Sequence, residues 1–295
     1  MANPRPRILL QLDGDSQASV FDAVVAIDAG VEHLLRHENV QPEHVRNLVY
    51  GTIFTRTIDS LRSTAIFVGG SDVTAGERLF AEVRQTFFGP MRVSVMLDPN
   101  GANTTAAAAV VAAQRHASLA GATALVLGAT GPVGRRVTHL LASQGVRVRA
   151  GSRLADRARG VCEAIAARIP AAQVTPHSTA TPHETLDAAR GAQIVISAGA
   201  PGALILPAES RRQCRELRVA IDLNAVPPAG LEGIDPLDRA ALRDGVPCYG
   251  AIGVGATKMK IHKSAIRRLF TSNDQVLDID EIFALACTIE EARGE

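Results

Sequence analysis

Apolar positions along the chain fall into two kinds of run. Short continuous runs end in glycine, proline or an acid and read as buried strands: 7–12, 64–68, 92–97, 124–127, 146–150, 173–175, 194–197, 219–223 and 247–249. Between them lie longer segments with apolar residues every three or four positions, which read as helices: 20–29, 42–48, 74–87, 104–117, one from Val133, 154–169, one from Pro182 to near Gly191, 257–270 and 279–287. Ser19 is placed to cap the first helix. Thr74 with Glu77, and Thr181 with Glu184, have capping-box spacing. Strand and helix alternate throughout, so each half of the chain predicts a mostly parallel sheet and an α/β fold class.

One segment carries chemistry. Residues 124–134, ALVLGATGPVG, run from a buried strand through Gly128, Thr130, Gly131, Pro132, Val133 and Gly134 into a helix. Turn glycines let backbone approach a pyrophosphate, and the helix start offers free N–H groups and a positive dipole end. The strand that follows ends in Gly151-Ser152-Arg153, where an NAD-binding fold usually carries an acid; the first acid here is Asp156. Ser152 and Arg153, with Arg157 as a second cation, suit the 2′-phosphate of NADP, because a guanidinium forks onto phosphate oxygens. Use of NAD as well stays open. Ser197, with Ala198 and Gly199 after it, ends the strand at 194–197, and Asn224 and Ala225 follow the strand at 219–223; all are candidates for the nicotinamide end.

Composition narrows the class. The chain has 295 residues, enough for two domains, and 46% of them are hydrophobic. With a net charge of +1 there is no electrostatic case for nucleic acid or an anionic membrane. The N-terminal apolar run is too short for a signal peptide, and no stretch is long enough for a membrane span. Cys162, Cys214, Cys248 and Cys287 are isolated and read as thiols in a reducing, cytoplasmic compartment. His116 and His262 lack partners at ligand spacing, so no metal is expected. The stretches AVVAIDAG and TTAAAAVVAA suit either a core or a homo-oligomer interface.

Several blocks together resemble the NAD(P)-dependent methylene-tetrahydromethanopterin dehydrogenases, some of which use methylene-tetrahydrofolate. They are SVFDAVVAIDAG (19–30), GTIFTR (51–56), IFVGG (66–70), FFGPMRVSVMLDPNGANTTAAA (87–108), GATGPVG, ISAGAPG (196–202), DLNAVPPAGLEGID (222–235) and GAIGVGATKMKIHKSAIRRLF (250–270). The resemblance implies reversible hydride transfer from the methylene group of a reduced one-carbon pterin to NADP, giving the methenyl form. It also implies a discontinuous pterin domain (1–112 and 267–295), a Rossmann domain (113–266) and a cleft between them. Lys258, after Gly255, resembles the active-site lysine of the family and would orient the pterin. Asp22 can grip an aminopyrimidine edge and Phe21 can pack on the pterin face. Thr55, Arg56, Asn100, Asn103 and Thr104 are further substrate-side candidates, although Asn and Thr at a helix start also cap. Two alternatives stay open: an NADPH-dependent carbonyl or shikimate-type reductase, and a non-enzymatic NADP(H) redox sensor.

Overall fold

The computed structural model describes residues 5–294; the first four residues of the stretch considered for a leader lie outside them. In chain order the elements are β1 (Ile8–Leu12), α1 (Val20–Asp28), β2 (His33–His37), α2 (Pro42–Ile53), β3 (Thr64–Val68), α3 (Val73–Thr86), β4 (Ser94–Leu97) and α4 (Ala102–Gln114). There follow β5 (Thr123–Leu127), α5 (Pro132–Ser143), β6 (Arg147–Ser152), α6 (Ala155–Arg168), β7 (Val174–Ser178), α7 (Pro182–Ala189), β8 (Ile194–Ser197), α8 (Ala208–Arg212) and β9 (Val219–Asp222). The chain closes with β10 (Arg239–Arg243), β11 (Val246–Tyr249), α9 (Ala251–Arg268), β12 (Val276–Leu277) and α10 (Ile279–Gly294). Two compact units form: one from the described residues through Thr104 and from Met259 onward, the other from Thr105–Lys258.

The first unit holds a parallel sheet of order β12-β4-β3-β1-β2. Its core is built of Leu10, Leu12, Ile66, Val68, Val95 and Leu97 from the strands with Val45, Val49, Leu79 and Val83 from α2 and α3. Read from β2, this is the doubly wound order 2-1-3-4-5, whose switch point falls between β1 and β3. Ligands of such sheets bind outside the carboxyl ends of the strands at that point.

The second unit holds a seven-stranded sheet of order β10-β11-β9-β8-β5-β6-β7, parallel except for β10, which returns antiparallel on β11. From β7 to β11 it follows the Rossmann order 3-2-1-4-5-6, with the switch point between β5 and β8. Leu125, Leu127, Val195 and Ala220 meet Leu186, Leu206, Leu217 and Leu231 in its core.

Caps decide several helix starts. Ser19 Oγ accepts from Asp22 N and begins α1, and the Thr181–Glu184 capping box closes reciprocally on α7. The box expected at Thr74 is replaced: α3 starts one residue earlier, because the Asp72 carboxylate accepts from Ala75 N. At α4 the fully buried Asp98 does the same work from four residues before the helix. Its carboxylate accepts from Asn103 N (2.9 Å), Thr104 N (3.0 Å) and Thr104 Oγ1 (2.7 Å). Asp98→Ala leaves these donors unsatisfied in the interior. It should lower stability by about 2–4 kcal/mol in denaturant unfolding, since hydrogen bonds to a buried charge are the stronger kind. A loss below ~0.5 kcal/mol would show that the cap does not hold α4.

Candidate active site

In the second unit, the glycine turn sits at the β5/β8 switch point. Gly128 has φ +71°, and a Cβ there would lie 2.7 Å from the Ala198 carbonyl oxygen and from Gly199 Cα. A Cβ on Gly134 would lie 2.2 Å from the Gly128 oxygen. Packing alone therefore demands both glycines. Gly131 differs: its backbone is extended (φ −75°, ψ 167°) and a Cβ would meet nothing closer than 3.5 Å. Nothing in the protein requires glycine at this position. Gly131 caps α5, Pro132 opens it, and the N–H groups of Val133 and Gly134 lie in the first turn, where no preceding helical carbonyl can reach them. The turn is braced by Gly131 N donating to Gly128 O and by Ala129 N donating to Gly151 O. Thr130 adds its carbonyl, which accepts from Arg135 Nε. The open Cβ position above a helix start fits a dinucleotide pyrophosphate.

β6 runs two residues further than its apolar run suggests and ends on Ser152. Ser152 is buried and its Oγ accepts from Leu154 N, which turns the chain into α6; its own proton stays available to a ligand oxygen. Arg153 and Arg157 are exposed beside it. Ser197 is the buried last residue of β8, followed by Ala198 and Gly199, both half-buried. Asn224 has a structural role: its amide nitrogen donates to Pro228 O, its amide oxygen accepts from Val226 N, and it thereby spans the loop containing the cis Pro227–Pro228 bond. Ala225 is exposed in that loop. Asp222, which the residue pattern did not single out, anchors the same loop by accepting from Asn224 N and Leu231 N. Burial raises its pKa above the usual carboxylate range, against the pull of those N–H donors.

The stretch 251–255, which carries Gly253 and Gly255, is helical. α9 starts at Ala251, six residues earlier than its apolar period predicts. The reason is packing: a Cβ on Gly250 would lie 2.1 Å from Asp235 O, and one on Gly253 would lie 1.8 Å from Asp238 O. Asp238 is itself locked, accepting from Arg243 Nη2 (2.6 Å) and Nε (2.9 Å), and this pairing lowers its carboxyl pKa. Around Gly255, by contrast, a Cβ would meet no atom within 4 Å. Alanine there would favour the helix by about 1 kcal/mol, so glycine is not explained by the protein's own packing. Lys258 is three residues on, on the same helix face and half-buried.

In the first unit, Asp22 lies at the β1/β3 switch point. It is 9% exposed, and a Cβ on Gly69, just past β3, would lie 3.3 Å from its Oδ2. Phe21 beside it is exposed. Asn100 is exposed with φ +53°, its N–H donating to Gly70 O at the same strand ends. Asn103 and Thr104 are fully buried: Asn103 Nδ2 donates to Leu97 O and Asp278 Oδ1, and Thr104 Oγ1 donates to Asp98. Thr55 is exposed past the end of α2, its hydroxyl donating to Gly51 O. Arg56 goes elsewhere: both terminal nitrogens donate to Pro6 O, before the amino end of β1. Asp22, Phe21 and Asn100 are thus brought to one end of the sheet, and Arg56 to the other. The two lone histidines pack in place: His262, fully buried, stacks on Phe67, and His116 shares a 2.8 Å hydrogen bond with Tyr249.

A doubly wound parallel unit joined to a Rossmann-type unit defines a two-unit α/β protein. Shikimate 5-dehydrogenase from Listeria monocytogenes has this fold, with a TM-score of 0.58 at 14% identity, covering 95% of this chain and 96% of that one. The chain belongs to the methylene-tetrahydromethanopterin dehydrogenase family. The family model "Methylene-tetrahydromethanopterin dehydrogenase, N-terminal" matches residues 20–100. Two proteins of Methylorubrum extorquens are similar nearly end to end. "Bifunctional protein MdtA" is 43% identical, covering 95% of this chain and 98% of that protein. "NAD(P)-dependent methylenetetrahydromethanopterin dehydrogenase" is 30% identical, covering 96% and 98%.

Proposed function

We propose that the protein oxidises methylene-tetrahydromethanopterin with NADP by reversible hydride transfer, giving the methenyl form. The observation that carries this reading is the full-length likeness to a relative named for that activity. It favours the pterin reaction over a carbonyl or shikimate-type reductase and over a redox sensor without chemistry. Bound NADP supplies the hydride acceptor at its nicotinamide ring. The chain supplies position: Gly131 and the start of α5 hold the pyrophosphate, and Ser152, Arg153 and Arg157 hold the 2′-phosphate. On the substrate side, Asp22 accepts from the aminopyrimidine N–H groups, Phe21 flanks the ring, and Lys258 orients the pterin. Such a transfer needs no obligatory proton relay, so most of the rate gain comes from alignment. Mixing the protein with methylene-tetrahydromethanopterin and NADP should form NADPH catalytically; turnover of hydroxyl substrates alone would overturn the reading.

Arg153→Ala should weaken NADP binding about tenfold to a hundredfold and leave NAD binding unchanged, as expected for losing a charge-assisted fork onto one phosphate. Calorimetric titration of both nucleotides checks this; equal losses for the two would remove Arg153 from the 2′-phosphate. Cys162, Cys214 and Cys248 are buried and unpaired, and burial pushes the Cys248 thiol up to about 11. Such unreactive thiols support a reducing, cytoplasmic setting. The exposed apolar residues Val20, Val24 and Ile27 on α1 support assembly into a homo-oligomer. Among the described residues no helix is long and apolar enough to cross a membrane.

A further inference from the structure

The first unit has a cavity that the proposed reaction does not use. It has a volume of about 250 Å³ and is lined by Arg5, Arg7, Asp59, Ser60, Arg62, Ser63 and Phe270. Arg5 and Arg7 lead into the amino end of β1, and Ser63 immediately precedes β3. The cavity therefore lies at the amino edge of the sheet, a strand length of about 15 Å from the carboxyl-end crevice that holds Asp22. Three guanidiniums face one carboxylate there, a formal excess of two positive charges. Among the described residues, no ion pair within 4 Å holds any of the three.

Several contacts pre-arrange the donors. The Arg7 guanidinium lies over the Phe270 ring, 5.8 Å from its centroid, a cation–π contact. Arg7 N donates to Glu32 Oε2, which pins the backbone at the strand entry. Ser60 Oγ accepts from Thr57 Oγ1, so its own proton is available to another acceptor. Burial lowers the Arg56 pKa, and the positive charge of nearby Arg5 lowers it further. Like charges drawn together at a strand edge repel, and an anion between them removes that repulsion.

We infer that this cavity binds a phosphate dianion, free or as a small monoester, through the forks of Arg5, Arg7 and Arg62 and the hydroxyls of Ser60 and Ser63. Guanidinium forks match tetrahedral oxyanions. At about 250 Å³ the cavity is smaller than pockets for drug-sized ligands and suits a small oxyanion. The site is independent of the proposed reaction and lies in a different unit from the glycine turn.

Isothermal titration tests the inference with the full chain saturated with NADP, so that the Arg153 pocket is filled. Inorganic phosphate and glycerol 3-phosphate are titrated separately at fixed ionic strength, with sodium chloride as the control. One equivalent of phosphate should bind. Its Kd should rise at least about tenfold in Arg62→Ala and again in Arg5→Ala, both exposed positions where folding is not at stake. In Arg153→Ala without NADP, phosphate binding should persist. Tighter binding of glycerol 3-phosphate identifies a monoester as the ligand, and tighter binding of phosphate identifies the free ion. Phosphate heat no larger than the chloride control, or a Kd unmoved by both Arg62→Ala and Arg5→Ala, overturns the proposal whether or not the NADP reading stands.

Discussion

Replacing Gly131 with alanine should weaken NADP binding about tenfold to a hundredfold while the protein stays folded. Overpacking a close contact costs about 1–3 kcal/mol, and here the crowded partner is the ligand. The backbone at Gly131 is extended and open to alanine, with no protein atom nearer than 3.5 Å to the new Cβ. The weaker cap offered by alanine is offset by the lower entropy of its unfolded chain, so stability should change by less than about 1 kcal/mol. Titration of NADP and a thermal melt together decide the matter. Unchanged affinity would mean that no pyrophosphate approaches this turn. Gly134 gives the contrast, because alanine there would press on the Gly128 oxygen at 2.2 Å and destabilise the turn itself.

Lys258→Ala should lower kcat/KM for the methylene-pterin by about a hundredfold, the usual scale for losing alignment of reacting carbons, with NADP affinity unchanged within about twofold. Steady-state kinetics with both substrates varied would separate the two effects. Unchanged kcat and KM would remove Lys258 from the reaction. A parallel fall in NADP affinity would place it on the cofactor instead. Gly255 sharpens the test. It is on the same face of α9 with open space around it, so Gly255→Ala should leave folding intact and impair turnover if a ligand passes that face.

Much of the fold was legible because the central strands are buried on both faces and read as unbroken apolar runs, as at β3 and β5. The edges were not. β2 has the sequence HLLRH with mostly exposed positions, and β10 has RAALR; half-exposed strands carry no continuous apolar signal. β12 is only two residues long and exists because β4 offers it an edge. Local chemistry identified the caps at Ser19 and Thr181, which act within three residues. It missed Asp72, which competed with Thr74 for the same helix start, and Asp98, whose donors lie five and six residues away.

The placement of the candidate residues was legible where backbone geometry alone sets it: Gly131 caps α5 and Ser152 ends β6. It was less so where polar side chains have two uses. Asn103, Thr104 and Asn224 are residue types that suit a ligand equally well, yet their polar atoms are bonded within the protein. Only the packed structure separates the two uses. It also separates Gly255, with open space around it, from Gly250 and Gly253, where an added Cβ would meet backbone at 2.1 and 1.8 Å.

The contact between Gly253 and the Asp238 carbonyl works as a rotational stop. With no side chain on one and a clamped carboxylate on the other, the helix can seat at one azimuth only, and each residue beyond it inherits its bearing at ~100° per step. Any side chain at 253 would lever α9 off this seat and swing the ammonium group five positions downstream, so a change at the hairpin carrying Asp238 would alter where Lys258 points.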